Sequence, residues 1–351
     1  GEAGATQLVD SMLDLQQDVF AGLIDPGDIS IVRSIELTDD GIDVAVFSGP
    51  QYDYEVILNA DGSITVDHVR GDGLSEDPRL DNGTDTLRNI EVLRFADQSM
   101  FLVPTVSESG NVMTVSGTAG SDTFVINAND MSLVVNGLRY TASPTTSQFS
   151  VDGQSGEDSI TFHGTGADDT ATVCVGSVDV TSGAYELHAT SVERIDVHGD
   201  GGNDTATMTD SSGNDSLIAH GNAGYSILQG TGYYNVVRAF ESVQVTASTG
   251  TDEVAFYDSS GDDTFTADAH LGYSSMLGSG FNNRANGFDV VQAHASAGGE
   301  NTAEFLDSAG DDKYVAHAAH GYGLMTGTGY HHVAYGFESM SAHADAGGTD
   351  K

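Results

Sequence analysis

Tryptophan is absent, cysteine occurs once, and there are only five prolines. A lone Cys174 excludes an intrachain disulfide and a cysteine-built zinc site. Its place in the alternating run TATVCVGSVDV suits a small buried hydrophobe. Positive charge is nearly missing as well. Eleven basic residues, of which only Lys313 and Lys351 are lysines, face 53 acidic ones, for a formal net charge of -42. Such a surface repels nucleic acid and anionic lipid, which argues against both as partners. It attracts cations, and two readings stand: a salt-adapted soluble surface, or divalent metal that neutralises charge as the chain folds. No apolar run approaches the roughly 18 residues of a membrane-spanning helix. No signal peptide is visible and residue 1 is Gly, as expected of a mature or excised piece.

What remains is β-forming material. Hydrophobic residues make up 38% and alternate with polar ones, and 44 glycines supply turns. One stretch differs. In ATQLVDSMLDLQQDVFAGLI, Leu8, Met12, Leu15 and Val19 recur at helical spacing, and Asp25-Pro26-Gly27-Asp28 stops the run. A helix within residues 1–28, docked over the end of a β-structure, is the expectation. Residues 29–107 then read as a small β-rich module, with a hairpin turn at Asn59-Ala60-Asp61-Gly62.

The module's runs VFSGPQYDYEVILNADGSITVDHV and DNGTDTLRNIEVLRFADQ, within about Asp40 to Gln98, resemble a module of large secreted bacterial proteins. Those proteins carry hemolysin-type (RTX) calcium-binding repeats, often beside a catalytic or adhesive domain. The resemblance implies secretion and calcium, with Asp81, Asp85 and Asp97 at the matching acidic positions.

Residues 108–351 repeat. The turns SGTAGSDTFVI, HGTGADDTATV, DSSGNDSLIA, DSSGDDTFTA and DSAGDDKYVA align on Asp122, Asp169, Asp215, Asp263 and Asp312, spaced 47, 46, 48 and 49 residues apart. A second marker precedes most of them by about eleven residues: Asp158, Asp204, Asp252 and Asn301, with Asp350 opening another copy. Tyr225, Tyr273 and Tyr322 hold one further column, and Phe240, Phe288 and Phe337 another. This period with short alternating runs is a repeat architecture. Propeller blades have a similar period, but WD- and kelch-type signatures are missing. The expectation is an all-β parallel β-solenoid (β-helix or β-roll-like) of ~47-residue repeats, each divided into two coils of about 24 residues. Coils would stack at roughly the 4.8 Å interstrand distance. The final HADAGGTDK matches the opening of a further repeat, so a longer parent chain or end-to-end pairing with other copies is expected. From about Gly117 to Asp350 the copies also resemble tandem arrays of large secreted bacterial proteins, a likeness that carries no established chemistry.

The recurring turns offer hard oxygen donors, and calcium takes 6–8 of them. Candidate ligands are Asp81, Asp85, Asp122, Asp168, Asp169, Asp204, Asp210, Asp215, Asp252, Asp258, Asp262, Asp263, Asp307, Asp311 and Asp312. The nine-residue RTX consensus is not kept, and Asp and Asn are also ordinary turn formers. Among twelve histidines, His317, His320, His331 and His332 cluster. At the 48-residue period His220 maps to Asp268 and His317, and His294 to His343. Two coils of separation, roughly 10 Å, are too many for one metal to bridge. The histidines therefore read as surface or turn residues. Enzyme motifs such as G-x-S-x-G, a P-loop and H-E-x-x-H are missing. A lyase- or epimerase-like β-helix would use a tyrosine base and a cation, but the tyrosines recur in every copy, as packing residues do.

The reading is a non-catalytic secreted or cell-surface scaffold, structural or adhesive, with calcium as its cofactor. Its partners would be other copies, a longer parent chain, or extracellular polysaccharide. The alternatives are the accessory tail of a larger secreted enzyme, and a polysaccharide-binding or -processing β-helix.

Overall fold

The computed structural model describes residues 12–24, 43–58, 63–68, 84–88 and 90–351. Met12–Phe20 forms an α-helix. The earlier part of the expected helix, and Asp81, lie outside the described residues. In the β-rich module Tyr54–Leu58 and Ile64–His68 pair antiparallel, with Leu58 opposite Ile64. That is the expected hairpin, although its Asn59–Gly62 turn also lies outside the described residues. Tyr54, Ile64, Val66, Ile90, Leu93 and Phe95 form a small core of their own.

From Thr105 onward the chain is a parallel β-solenoid of about six turns, built from two facing thirteen-stranded sheets. We call the sheet that contains Arg194–His198 the front and the one that contains Thr205–Thr209 the back. Strand alternation explains the packing. In Glu253–Tyr257, Val254 and Phe256 point inward, and in Thr264–Asp268, Phe265 and Ala267 do so. The two fully buried rings meet between the sheets with centroids 6.0 Å apart. Phe240, Phe288 and Phe337 close the same core at its corners.

Coil division differs from the expectation. Parallel strands that pair along the axis lie 35 to 41 residues apart in sequence, as in Ser159 beside Arg194 and Val290 beside His331. Each sequence repeat holds five strands. Ser216–His220, Tyr225–Gly230 and Tyr233–Arg238 form an antiparallel meander on the front, followed by Ser242–Thr246 on the back and Glu253–Tyr257 on the front. The chain then crosses to the back for the next meander, Thr264–Asp268, Tyr273–Gly278 and Phe281–Asn286. Three crossings per repeat are an odd number, so successive meanders alternate between faces.

Each meander also fills backward. Strand Arg194–His198 pairs in parallel with the meander's last strand, and the meander's first strand pairs with Glu253–Tyr257. Short turns of two or four residues make this possible. At Asn136-Gly137 both residues have positive φ, 50° and 83°, the type I′ geometry that matches strand twist.

The crossings form two edges. On the first, from back to front, stand Asp122, Asp158, Asp215, Asp252, Asp312 and Asp350. On the second, from front to back, stand Asp169, Asp204, Asp263 and Asn301.

Candidate metal centres along the solenoid edges

Coil spacing explains the paired markers. Asp122 N–H donates to Asp158 at 2.7 Å, Asp169 N–H to Asp204 at 2.7 Å, and Asp215 N–H to Asp252 at 2.8 Å. Asp263 N–H donates to Asn301 at 2.9 Å and Asp312 N–H to Asp350 at 3.0 Å. The second marker is thus the axial neighbour of the first, one coil on. The relay continues with Asp158 N–H to Glu193 and Asp252 N–H to Asp289. Buried turn amides that no sheet can satisfy find acceptors this way.

The first marker also organises its own turn. Asp215 accepts from the Ser211 hydroxyl at 2.8 Å, and that hydroxyl accepts Gly213 N–H at 3.0 Å. The same arrangement recurs at Ser259–Asp263 and Ser308–Asp312. Tyr233 and Tyr330 donate their hydroxyls to Asp215 and Asp312 at 3.0 and 2.7 Å. Burial first, and these hydrogen bonds second, push both phenols well above their ordinary value. Position 230 requires glycine, since a Cβ on Gly230 would overlap the Asp215 carboxylate.

The relay stacks buried carboxylates against one another. Asp158, Asp169, Asp204 and Asp252 are all almost wholly buried. Burial raises the pKa of each, opposed by the hydrogen bonds it accepts and reinforced by neighbouring carboxylates; Asp158 is pushed up to about 6. One oxygen each of Asp158, Asp169, Asp204 and Asp210 is buried with no hydrogen-bond partner.

Two sets of three carboxylates converge on the first edge: Asp210, Asp215 and Asp252, and Asp307, Asp312 and Asp350. Within each set one oxygen per carboxylate lies within 4.8 Å of the others. Asp210 accepts Ser248 N–H at 2.8 Å through Oδ1 while Oδ2 is left without a partner. Its carboxyl too is raised, chiefly by burial. Such a site has the hard, anionic oxygens that calcium selects. On the second edge Asp258, Asp263 and Asn301 occupy the same three positions with one charge fewer, and Asp258 accepts Ala297 N–H. Asp122 and Asp169 have Gly117 and Gly164 five residues before them, where Asp215, Asp263 and Asp312 have Asp210, Asp258 and Asp307.

Asp168, Asp262 and Asp311 are exposed and accept amide hydrogens of Asn203, Glu300 and Thr349 across coils. They brace turns and stand outside the triads. In the small module, Asp85 is half-buried opposite Val66, and Asp97 accepts Gln51 N–H at 2.8 Å. Among the described residues of that module no metal-sized cluster forms.

His331 and His332 point to opposite faces, and burial holds His332 down to about 4. On the outside of the front sheet, His220, Tyr257, His294 and Tyr335 stack one per rung, with centroids 5.1, 4.9 and 5.1 Å apart. Within this column the facing ring surfaces cover one another. At the 48-residue period these neighbours, and the group His163, His198 and Asp200, are invisible, because axial neighbours lie 35 to 41 residues apart.

A groove of about 740 Å³ lies beside the first triad, with Glu157, Glu193, Glu253, Arg194 and Tyr234 on its walls. Arg194 lies 4.8 Å from the Tyr234 ring centroid. With three glutamates around one arginine, the groove disfavours a uronate. Comparison with protein-family models and with curated proteins finds no match to this chain.

Proposed function

We propose that the chain is a non-catalytic extracellular scaffold of the hemolysin-type calcium-binding repeat kind, in which calcium fastens coil to coil. Its task is mechanical: to hold a stiff, acidic rod as a spacer or adhesive segment, alone or within a longer parent chain. The reading rests on the first-edge triads, above all the buried Asp210 Oδ2 that has no partner. Asp210 and Asp215 belong to one turn and Asp252 to the next coil, so a cation shared among them would tie two layers together. Asp307, Asp312 and Asp350 would hold a second. Backbone carbonyls or water would complete the 6–8 oxygens that calcium takes.

The test is a thermal melt of the chelated chain with and without millimolar calcium, at matched ionic strength. At calcium one hundred times its dissociation constant, one site adds about 2.7 kcal/mol. The reading expects a higher melting temperature with calcium and a smaller rise in D210N. An unchanged melt would overturn it.

A further inference from the structure

We propose a second metal site of different chemistry, in which His163, His198 and Asp200 bind a borderline transition metal such as Zn²⁺ at the second edge. The two histidines end adjacent parallel strands, Ser159–His163 and Arg194–His198, and are direct register partners. Their ring centroids lie 4.4 Å apart, which is the rung spacing, so two imidazoles can address one ion. Asp200 stands two residues beyond His198 in the crossing, with its carboxylate 3.6 Å from His163 Nδ1. One donor atom of each residue lies within 4.8 Å of the others. Around a tetrahedral Zn²⁺ with bonds of about 2.0–2.1 Å, donors sit roughly 3.3 Å apart, so modest side-chain rotation closes the site.

The surroundings favour this use. His198 Nε2 lies 3.4 Å from Asp196 Oδ1, which leaves Nδ1 as its free donor. Asp196 is in turn fixed by Arg238 Nε at 2.8 Å. A carboxylate behind a ligating imidazole sets ring orientation and raises its basicity, a recurrent feature of histidine metal sites. Gly199, between the two ligands, is pinned: a Cβ there would meet Asp204 and the Ala239 carbonyl. All three donors are partly exposed, so an ion can enter from solvent and keep water in its remaining positions. Two imidazoles and one carboxylate suit zinc, copper or nickel, whereas the all-oxygen triads suit calcium.

The experiment is a calorimetric Zn²⁺ titration of the full chain, with calcium in excess to occupy the carboxylate sites. Co²⁺ absorption serves as a spectroscopic check on nitrogen ligation. The expected result is one tight equivalent of Zn²⁺, weakened at least tenfold in His163→Gln and in His198→Gln. His220→Gln should leave it unchanged, and Asp196→Asn should weaken it by about tenfold as a positioning residue. Far-UV spectra and melts report whether each variant folds. Should a histidine variant fail to fold, Asp200→Asn, at an exposed position, must still weaken binding. No saturable binding, or equal affinity in wild type and folded variants, would overturn the proposal.

Discussion

Substituting Asp158 by Asn should stabilise the metal-free protein at neutral pH. Asp158 is fully buried, its Oδ1 accepts Asp122 N–H at 2.7 Å, and its Oδ2 has no partner. Burial chiefly raises its carboxyl from 3.8 to about 6. A folded-state pKa above the unfolded one favours the neutral acid in the fold. Stability from this group is therefore complete below about 3.8 and is lost as pH rises through 6. By pH 7.5 the ionised carboxylate costs the fold about 3 kcal/mol, and acidification to pH 5 relieves roughly half of that. Asn keeps the acceptor and removes the charge. The chain already does this at Asn301, whose Oδ1 accepts Asp263 N–H and whose Nδ2 donates to the Gly298 carbonyl. The corresponding donor bond at position 158 would go to the Ser155 carbonyl. The charge-assisted bond from Asp122 weakens by about 1 kcal/mol, which leaves a net gain of about 1–2 kcal/mol at pH 7.5. The assay is thermal melting in chelator at pH 5 and 7.5. Wild type should melt higher at pH 5, and D158N should melt a few degrees higher than wild type at pH 7.5 with a flatter pH response. A lower melt for D158N at pH 7.5, or an unchanged pH slope, would refute the argument.

Three further outcomes follow from the packing and the triads. Phe256→Ala removes a fully buried ring that meets Phe265 and should cost about 3–5 kcal/mol in a denaturant melt. Gly230→Ala places a Cβ on the Asp215 carboxylate and should cost about 1–3 kcal/mol, whereas alanine at Gly224, which has open space but positive φ, should cost less. In saturating calcium the drop in melting temperature from pH 5 to 7.5 should shrink relative to the chelated chain, because a bound cation favours ionised Asp210 and Asp252, whose carboxyls are raised without it.

The solenoid was legible because alternation and a period of 46 to 49 residues survive in the sequence, carried by columns such as Asp215, Asp263 and Asp312. The coil was not. In TATVCVGSVDVTSGAYELHAT three strands joined by two-residue turns read as one long alternating run, so a meander is indistinguishable from a coil. Axial neighbours therefore could not be paired: Asp204 stood only as a marker eleven residues before Asp215, while its contact is with Asp169, 35 residues earlier. The same ambiguity conceals the pairing of His163 with His198, 35 residues on. Of the acidic candidates, Asp210, Asp215, Asp252, Asp307 and Asp312 converge in triads. Asp168, Asp262 and Asp311 each precede a buried marker, Asp169, Asp263 and Asp312, by one residue and face outward.

The central claim is that carboxylates from successive coils share divalent cations, and a calorimetric calcium titration of the chelated chain at pH 7.5 tests it most directly. Saturable binding at two sites is expected, one lost in D252N and the other in D350N. Absence of saturable heat, or the same stoichiometry in both variants as in wild type, would contradict it.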